Sequence, residues 1–148
     1  LNIDNVDRKI LNEYFKDARL SFREVAKHIG VSVGTVLSRT KKMEEEGLIK
    51  GFTVLLDDEK LGYPLTALTE VTVSKGKLVE IEKEIAKLSS TCAVYDVTGQ
   101  TDAIIIGKFR NRQELSTFTK SILSLNYVEH TNTHLVLTTI KEDFRMPP

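Results

Sequence analysis

The chain has 148 residues, 41% hydrophobic and 28% charged, with 21 basic residues balanced by 21 acidic ones. That composition describes a folded globular chain of one domain or two small ones and excludes a disordered polymer. No apolar run approaches the roughly 20 residues of a membrane-spanning helix. One cysteine, Cys92, excludes an internal disulfide framework and a cysteine-based zinc cluster. It reads as a small core residue within the apolar run CAVYDV. The polar, acidic beginning of the chain lacks a signal-peptide pattern, so a cytoplasmic protein is expected.

Asn2 to Arg19 predicts a first helix. Asp4 or Asn5 can cap it, and Val6, Ile10, Leu11, Tyr14 and Phe15 make an apolar stripe. Ser21 opens a second helix and forms a capping box with Glu24. Phe22, Val25, Ala26 and Ile29 repeat at the spacing of a buried helical face. Gly30 provides the permissive backbone of a helix end and tight turn. Ser32 caps a third helix two residues later, and Gly47 stands where it should stop. A turn this short forces the second and third helices to cross steeply, as in a helix-turn-helix.

The third helix sorts its residues by side. Val33, Val36, Leu37, Thr40 and Met43 fall on one face, expected to pack on the second helix. Gly34, Thr35, Ser38, Arg39, Lys41 and Lys42 fall largely on the other. The small, hydrogen-bonding residues of that set suit close approach to base edges in a major groove, and the basic ones suit phosphates. A plain helical hairpin with a solvated face would show a similar pattern. Charge favours the DNA interface: from Arg19 to Lys42 six basic residues (Arg19, Arg23, Lys27, Arg39, Lys41, Lys42) meet one acid, Glu24. The expected DNA-contacting set is Ser32, Val33, Gly34, Thr35, Ser38, Arg39, Lys41 and Lys42, Val33 being counted on both sides. The acids Glu44 to Glu46 read as the solvated end of the helix.

LIKGFTVLL, residues 48 to 56, is β-branched and apolar and predicts a strand, the wing of a winged helix or the start of a connector. The polar DDEKLGYP, residues 57 to 64, reads as a linker. The expected division is therefore 1–56, a 57–65 linker and 66–148. In the second part, strands are predicted at Thr66–Ser74, Cys92–Thr98, Ala103–Phe109 and Val128–Ile140, with helices at Lys77–Leu88 and Asn111–Ser124. The run AIIIGKF is almost continuously apolar, which places the third of these strands centrally. The order βαββαβ is that of a ferredoxin-like fold, so the fold class is α+β: a winged helix-turn-helix followed by a ferredoxin-like unit. Alternation through Thr131, Thr133, Leu135, Leu137 and Thr139 suggests a sheet face that pairs with another subunit.

Fold alone does not give function. The segments DRKIL, DAR, SFREVAKHIGVS, GTV, SR and EEEGLIKGFTVLLD, however, resemble the Lrp/AsnC (feast/famine) transcription regulators. TGQTDAIIIG and TNTHLVLTTIK resemble the amino-acid-sensing half of that family, so the resemblance spans essentially the whole chain. Thr40 departs from it, since the family usually has an aliphatic residue there. The resemblance implies a sequence-specific regulator of double-stranded DNA, a dimer through packed sheets that assembles further to an octamer, and an amino-acid effector. It implies an effector wall at the turn Gly99, Gln100, Thr101 and Asp102, with Thr131 and Thr133 as candidates for the other wall. Backbone N–H groups of a glycine turn can hold a carboxylate, and Asp102 can pair with an ammonium.

No catalytic motif is present, and no cofactor or metal ligand set is expected. Of the three histidines, His130 and His134 share a strand face if its pleat is regular. That leaves a sirohaem-decarboxylase-like enzyme of the same architecture as one alternative, and a ligand-independent DNA organiser as another.

Overall fold

The computed structural model describes residues 2–148, which divide into two compact units. The first comprises the residues up to Leu55 together with Asp143–Pro148, and the second Leu56–Glu142. The last six residues thus group with the helical unit rather than with the sheet, where the sequence had placed them. There the Arg145 guanidinium lies over the Phe15 ring, 5.0 Å from its centroid.

The first unit holds α1 (Asn5–Lys16), α2 (Phe22–Ile29) and α3 (Val33–Glu45). Asp4 caps α1, accepting from the N–H groups of Val6 and Asp7 at 2.8 and 3.0 Å, while Asp7 accepts from the Asp4 N–H. Ser21 and Glu24 make the expected reciprocal box on α2. Gly30 ends α2 at φ +73°, a left-handed conformation that costs a side-chain-bearing residue steric strain. Ile10, Tyr14, Val25, Ala26, Val36 and Met43 form the buried core of this unit. Thr40, fully buried, lies among the core positions of α3. Phe22, Val33 and Leu37, expected on buried faces, are instead 38, 44 and 48% exposed. Val36, Thr40 and Met43 span a narrow arc of helix, and Leu37 lies about 100° from Val36, beyond the reach of α2.

Residues 48 to 56 form no strand among the described residues. Leu48 and Ile49 instead donate back to the Met43 carbonyl, ending α3. The β-branched composition favours a strand, but a strand needs a partner ladder and this segment has none among the described residues. Val54, Leu55 and Leu56 are left well exposed.

The second unit contains β1 (Leu65–Val73), α4 (Leu78–Ala86), β2 (Thr91–Asp96), β3 (Ala103–Phe109), α5 (Arg112–Leu123) and β4 (Val128–Leu135). The sheet is antiparallel in the order β2-β3-β1-β4, with the apolar β3 inside as expected. The predicted linker is a folded turn of this unit, with the Tyr63 N–H on the Asp58 carbonyl at 2.8 Å. Strand β4 stops at Leu135, five residues short of the expected end. Val136 still donates to Thr66, but two residues further the register reaches Pro64, which has no N–H to continue the ladder.

Pairing decides the faces of the sheet. Ala67, Thr69, Val71 and Val73 of β1 and Ala103, Ile105 and Phe109 of β3 are buried. All but Thr69 belong to one cluster with Ile81, Ile85, Phe118 and Ile122 of the helices. Leu135, Thr133 and Thr131 stand opposite Ala67, Thr69 and Val71, so they share the helix-covered face. The Thr133 and Thr69 hydroxyls meet there at 3.1 Å. The expectation that Thr131, Thr133 and Leu135 face a partner subunit is therefore inverted. Leu68, Glu70, Thr72, Ile104 and Ile106, with His130, Asn132 and His134, lie on the uncovered face.

Candidate DNA interface and effector turn

Ser32 caps α3, its hydroxyl oxygen accepting the Thr35 N–H at 3.0 Å and lying 2.8 Å from the Thr35 hydroxyl. The Ser38 hydroxyl donates to the Thr35 carbonyl at 3.2 Å. Gly34 has open space beside it: an added Cβ would meet only the Ser32 hydroxyl at 3.8 Å. Ser32, Val33, Gly34 and Ser38 are exposed and Thr35 is half-buried, so the outward side of α3 is accessible where the sequence placed base contacts.

The basic residues behave differently from one another. Lys41 and Lys42 reach Glu45 and Glu46 at 3.7 Å, one helical turn away. These are exposed pairs that exchange readily with water or phosphate. Arg39 does not point outward. Its Nη1 donates to Asp4 at 2.6 Å and to both Asp7 carboxylate oxygens at 3.3 Å, bracing α3 on the start of α1. Hydrogen bonds from the Asp7 backbone N–H and from Arg39 hold the Asp4 carboxyl below its ordinary range, and Asp4 in turn raises the Arg39 guanidinium. Sequence reading missed this bridge because its partners are 35 and 32 residues apart. The Lys41–Glu45 and Lys42–Glu46 pairs were visible at i, i+4 spacing.

In the second unit the Gly99–Asp102 turn joins β2 to β3 and is fastened to β1. Thr101 donates through its hydroxyl to the Val71 carbonyl at 2.9 Å, and Asp102 donates through its N–H to the same oxygen at 3.0 Å. The Asp102 carboxylate accepts the Val73 N–H at 2.8 Å. That carboxylate is a latch on β1 and is not aimed at open space. Gln100 and Thr101 border an open cleft of about 990 Å³ on the uncovered sheet face, shared with Glu70, Thr72, His130 and Asn132. Thr131 and Thr133 are on the opposite face of the sheet and do not border this cleft within the chain. Of the cleft residues not chosen as effector contacts, His130 and Asn132 alternate with Thr131 and Thr133 along β4, and only the pairing of β4 to β1 distinguishes them, while Glu70 comes from β1.

His130 and His134 share this face, as a regular pleat requires. The His134 Nε2 lies 3.1 Å from the Asn132 amide nitrogen, which also donates to Glu70 at 3.1 Å. His28 bonds Glu13 at 2.6 Å, tying α2 to α1. Among the described residues no three His, Cys, Asp or Glu side chains converge as a metal site.

A capped, outward-facing helix in a three-helix unit, followed by a four-stranded sheet with a braced turn, defines the class: a helix-turn-helix regulator with an attached sensing domain. Residues 3–50 match the family description winged helix-turn-helix DNA-binding, and residues 66–146 match the Lrp/AsnC ligand binding domain. An HTH-type transcriptional regulator of Pyrococcus furiosus, itself uncharacterized, is 51% identical over the full length of both chains. The regulator FL11 of Pyrococcus horikoshii is 36% identical, covering 98% of this chain and 96% of its own. Among solved structures, E. coli AsnC superposes with a TM-score of 0.92 at 26% identity over 100% of both chains. A regulator of Neisseria meningitidis in complex with L-Met gives 0.88 at 26% identity over 99% of this chain and 97% of its own. The chain belongs to the Lrp/AsnC family of DNA-binding transcription regulators. No helix among the described residues is long and apolar enough to cross a membrane.

Proposed function

We propose that this regulator binds operator DNA through α3 and that a free amino acid tunes its DNA affinity or its assembly. The observation that carries the sensing half is the Gly99–Asp102 turn, rigidly pinned to β1 with Gln100 and Thr101 open to a cleft. A rigid turn presents backbone N–H groups that can receive a carboxylate. The methionine-bound relative from Neisseria supports an amino acid as the ligand class. Lys41 and Lys42 are the phosphate-contacting residues, with Ser32, Val33, Gly34, Thr35 and Ser38 nearest the bases. A homodimer forms through the uncovered sheet faces and assembles to an octamer in the cytoplasm, and the effector is held at the edge of that face, where the Gly99–Asp102 turn meets another subunit. The protein is a regulator and not an enzyme: the two histidines that a porphyrin chemistry would recruit stand on the face assigned to dimer contact.

The test is a gel-shift titration on the DNA upstream of its own gene, with and without each common amino acid. A shift in midpoint with one amino acid supports the reading and names the effector. Binding indifferent to all of them transfers the reading to a ligand-independent DNA organiser. Absence of binding to this fragment and to random duplex, with a new absorbance band on adding porphyrin, overturns it in favour of the enzyme.

A further inference from the structure

Part of the apolar surface of α3 lies outside the buried core of its own unit. Val33 and Leu37, 44 and 48% exposed, stand one helical turn apart at i and i+4. We propose that these two side chains read the 5-methyl groups of thymine in the major groove. The inference rests on α3 being the recognition helix and deepens that reading by naming the chemistry that gives sequence preference.

Elimination within the helix supports it. Bidentate reading of guanine or adenine needs Arg, Lys, Asn or Gln. None occurs between Val33 and Ser38. Arg39, the next candidate, is drawn onto Asp4 and Asp7. The polar groups that are present are engaged locally: Thr35 with Ser32, and Ser38 with the Thr35 carbonyl. What α3 offers a base edge over its first two turns is therefore chiefly apolar surface. The open space at Gly34, on the adjoining outward side of the same turn, lets the helix approach closely. Charge matches the same partner, since Lys41 and Lys42 stay 70 and 60% exposed one turn further on, placed for the flanking phosphates. In the major groove thymine alone among the four bases carries a methyl group, so this surface selects A·T pairs in a stated orientation.

Uracil in place of thymine removes that methyl and leaves every hydrogen-bonding group. The full chain is used to select tight-binding duplexes from a random pool, and each thymine of the selected half-site is then replaced singly by uracil. Fluorescence anisotropy at fixed salt reads the affinity. One or two replacements per half-site are expected to weaken binding about fourfold each, the value of burying one methyl group. In Leu37→Ala or Val33→Ala, both exposed positions that leave the core intact, the corresponding uracil penalty should vanish. Equal affinity for every uracil-substituted duplex overturns the proposal while leaving α3 as the recognition helix. A uracil penalty unchanged in both variants also overturns it, because the methyl contact then lies elsewhere. Failure to enrich any duplex overturns the regulator reading and this inference together.

Discussion

Gly107 of β3 lies opposite Ala67 and Thr91, in the middle of the sheet. A Cβ at this position would stand 2.6 Å from Cζ and 2.9 Å from Cε2 of Phe109, and 3.1 Å from the Ser90 carbonyl oxygen. Carbon atoms attract at about 3.5–4.0 Å, so both ring contacts are deep in the repulsive range. The ring cannot withdraw, because Phe109 is fully buried with Phe118 edge-on at 5.0 Å. The Ser90 oxygen is held by the Lys108 N–H at 3.0 Å. Gly107→Ala therefore overpacks the sheet at a cost of about 1–3 kcal/mol, toward the upper end given two contacts under 3 Å. The reduced freedom of the unfolded chain returns about 0.4–1 kcal/mol, leaving a net loss of about 2 kcal/mol. For a unit of this size, that lowers Tm by about 8–16 °C if it melts alone, and by about half that if both units melt together. Calorimetry or guanidinium unfolding at one protein concentration measures it, since assembly makes the midpoint concentration-dependent. The double variant Gly107→Ala with Phe109→Leu should lose less than the sum of the single losses. A midpoint for Gly107→Ala at or above the native value would refute the reasoning.

Arg39→Gln should lower the unfolding midpoint and the DNA affinity while leaving the salt slope of binding unchanged, and Asp4→Asn should reproduce its effect on the midpoint. A slope shallower by about one unit in the Arg39 variant would instead make this residue a phosphate contact. Asp102→Ala should blunt the response to the effector, whereas Asp102→Asn, still able to accept the Val73 N–H, should retain it. Loss of response in the Asn variant would show that the charge itself meets an ammonium. Acid should loosen the helical unit first. The carboxyls of Asp4 (by the Asp7 N–H, then Arg39), Glu13 (by Lys16, then His28) and Glu24 (by the Ser21 N–H) are held below their ordinary values, and Asp17 is lowered to about 2 by Arg19. Depressed folded values contribute stability above about pH 4 that is lost as pH falls toward about 2. Far-ultraviolet circular dichroism at the helical band, followed through an acid titration, reads this; helicity constant over that range contradicts it.

The sequence by itself determined what neighbours a few residues apart can settle. The capping boxes, the Gly30 turn, the order of helices and strands and the central place of β3 follow from local hydrogen bonds and from periods of 3.6 and 2. The helix-turn-helix and the place of the Gly99–Asp102 turn were legible for the same reason, since each is a short run of specified residue types, whereas the bonds that brace that turn on β1 were not. Tertiary structure decided whatever depends on a distant partner. Pairing of β4 with β1 put His130 and Asn132 on the open face and Thr131 and Thr133 under the helices, a choice that alternation alone leaves undetermined because either parity has the same period. Asp4 and Asp7 turned Arg39 from an apparent phosphate ligand into a brace. The width of the contact between α2 and α3 buried Val36 and left Val33 and Leu37 outside. A helical pattern fixes which residues share a side, but only the packed neighbour fixes how wide the covered stripe is. Strand propensity in residues 48 to 56 likewise went unrealised in the chain, because a ladder is a property of two segments and the sequence describes only one.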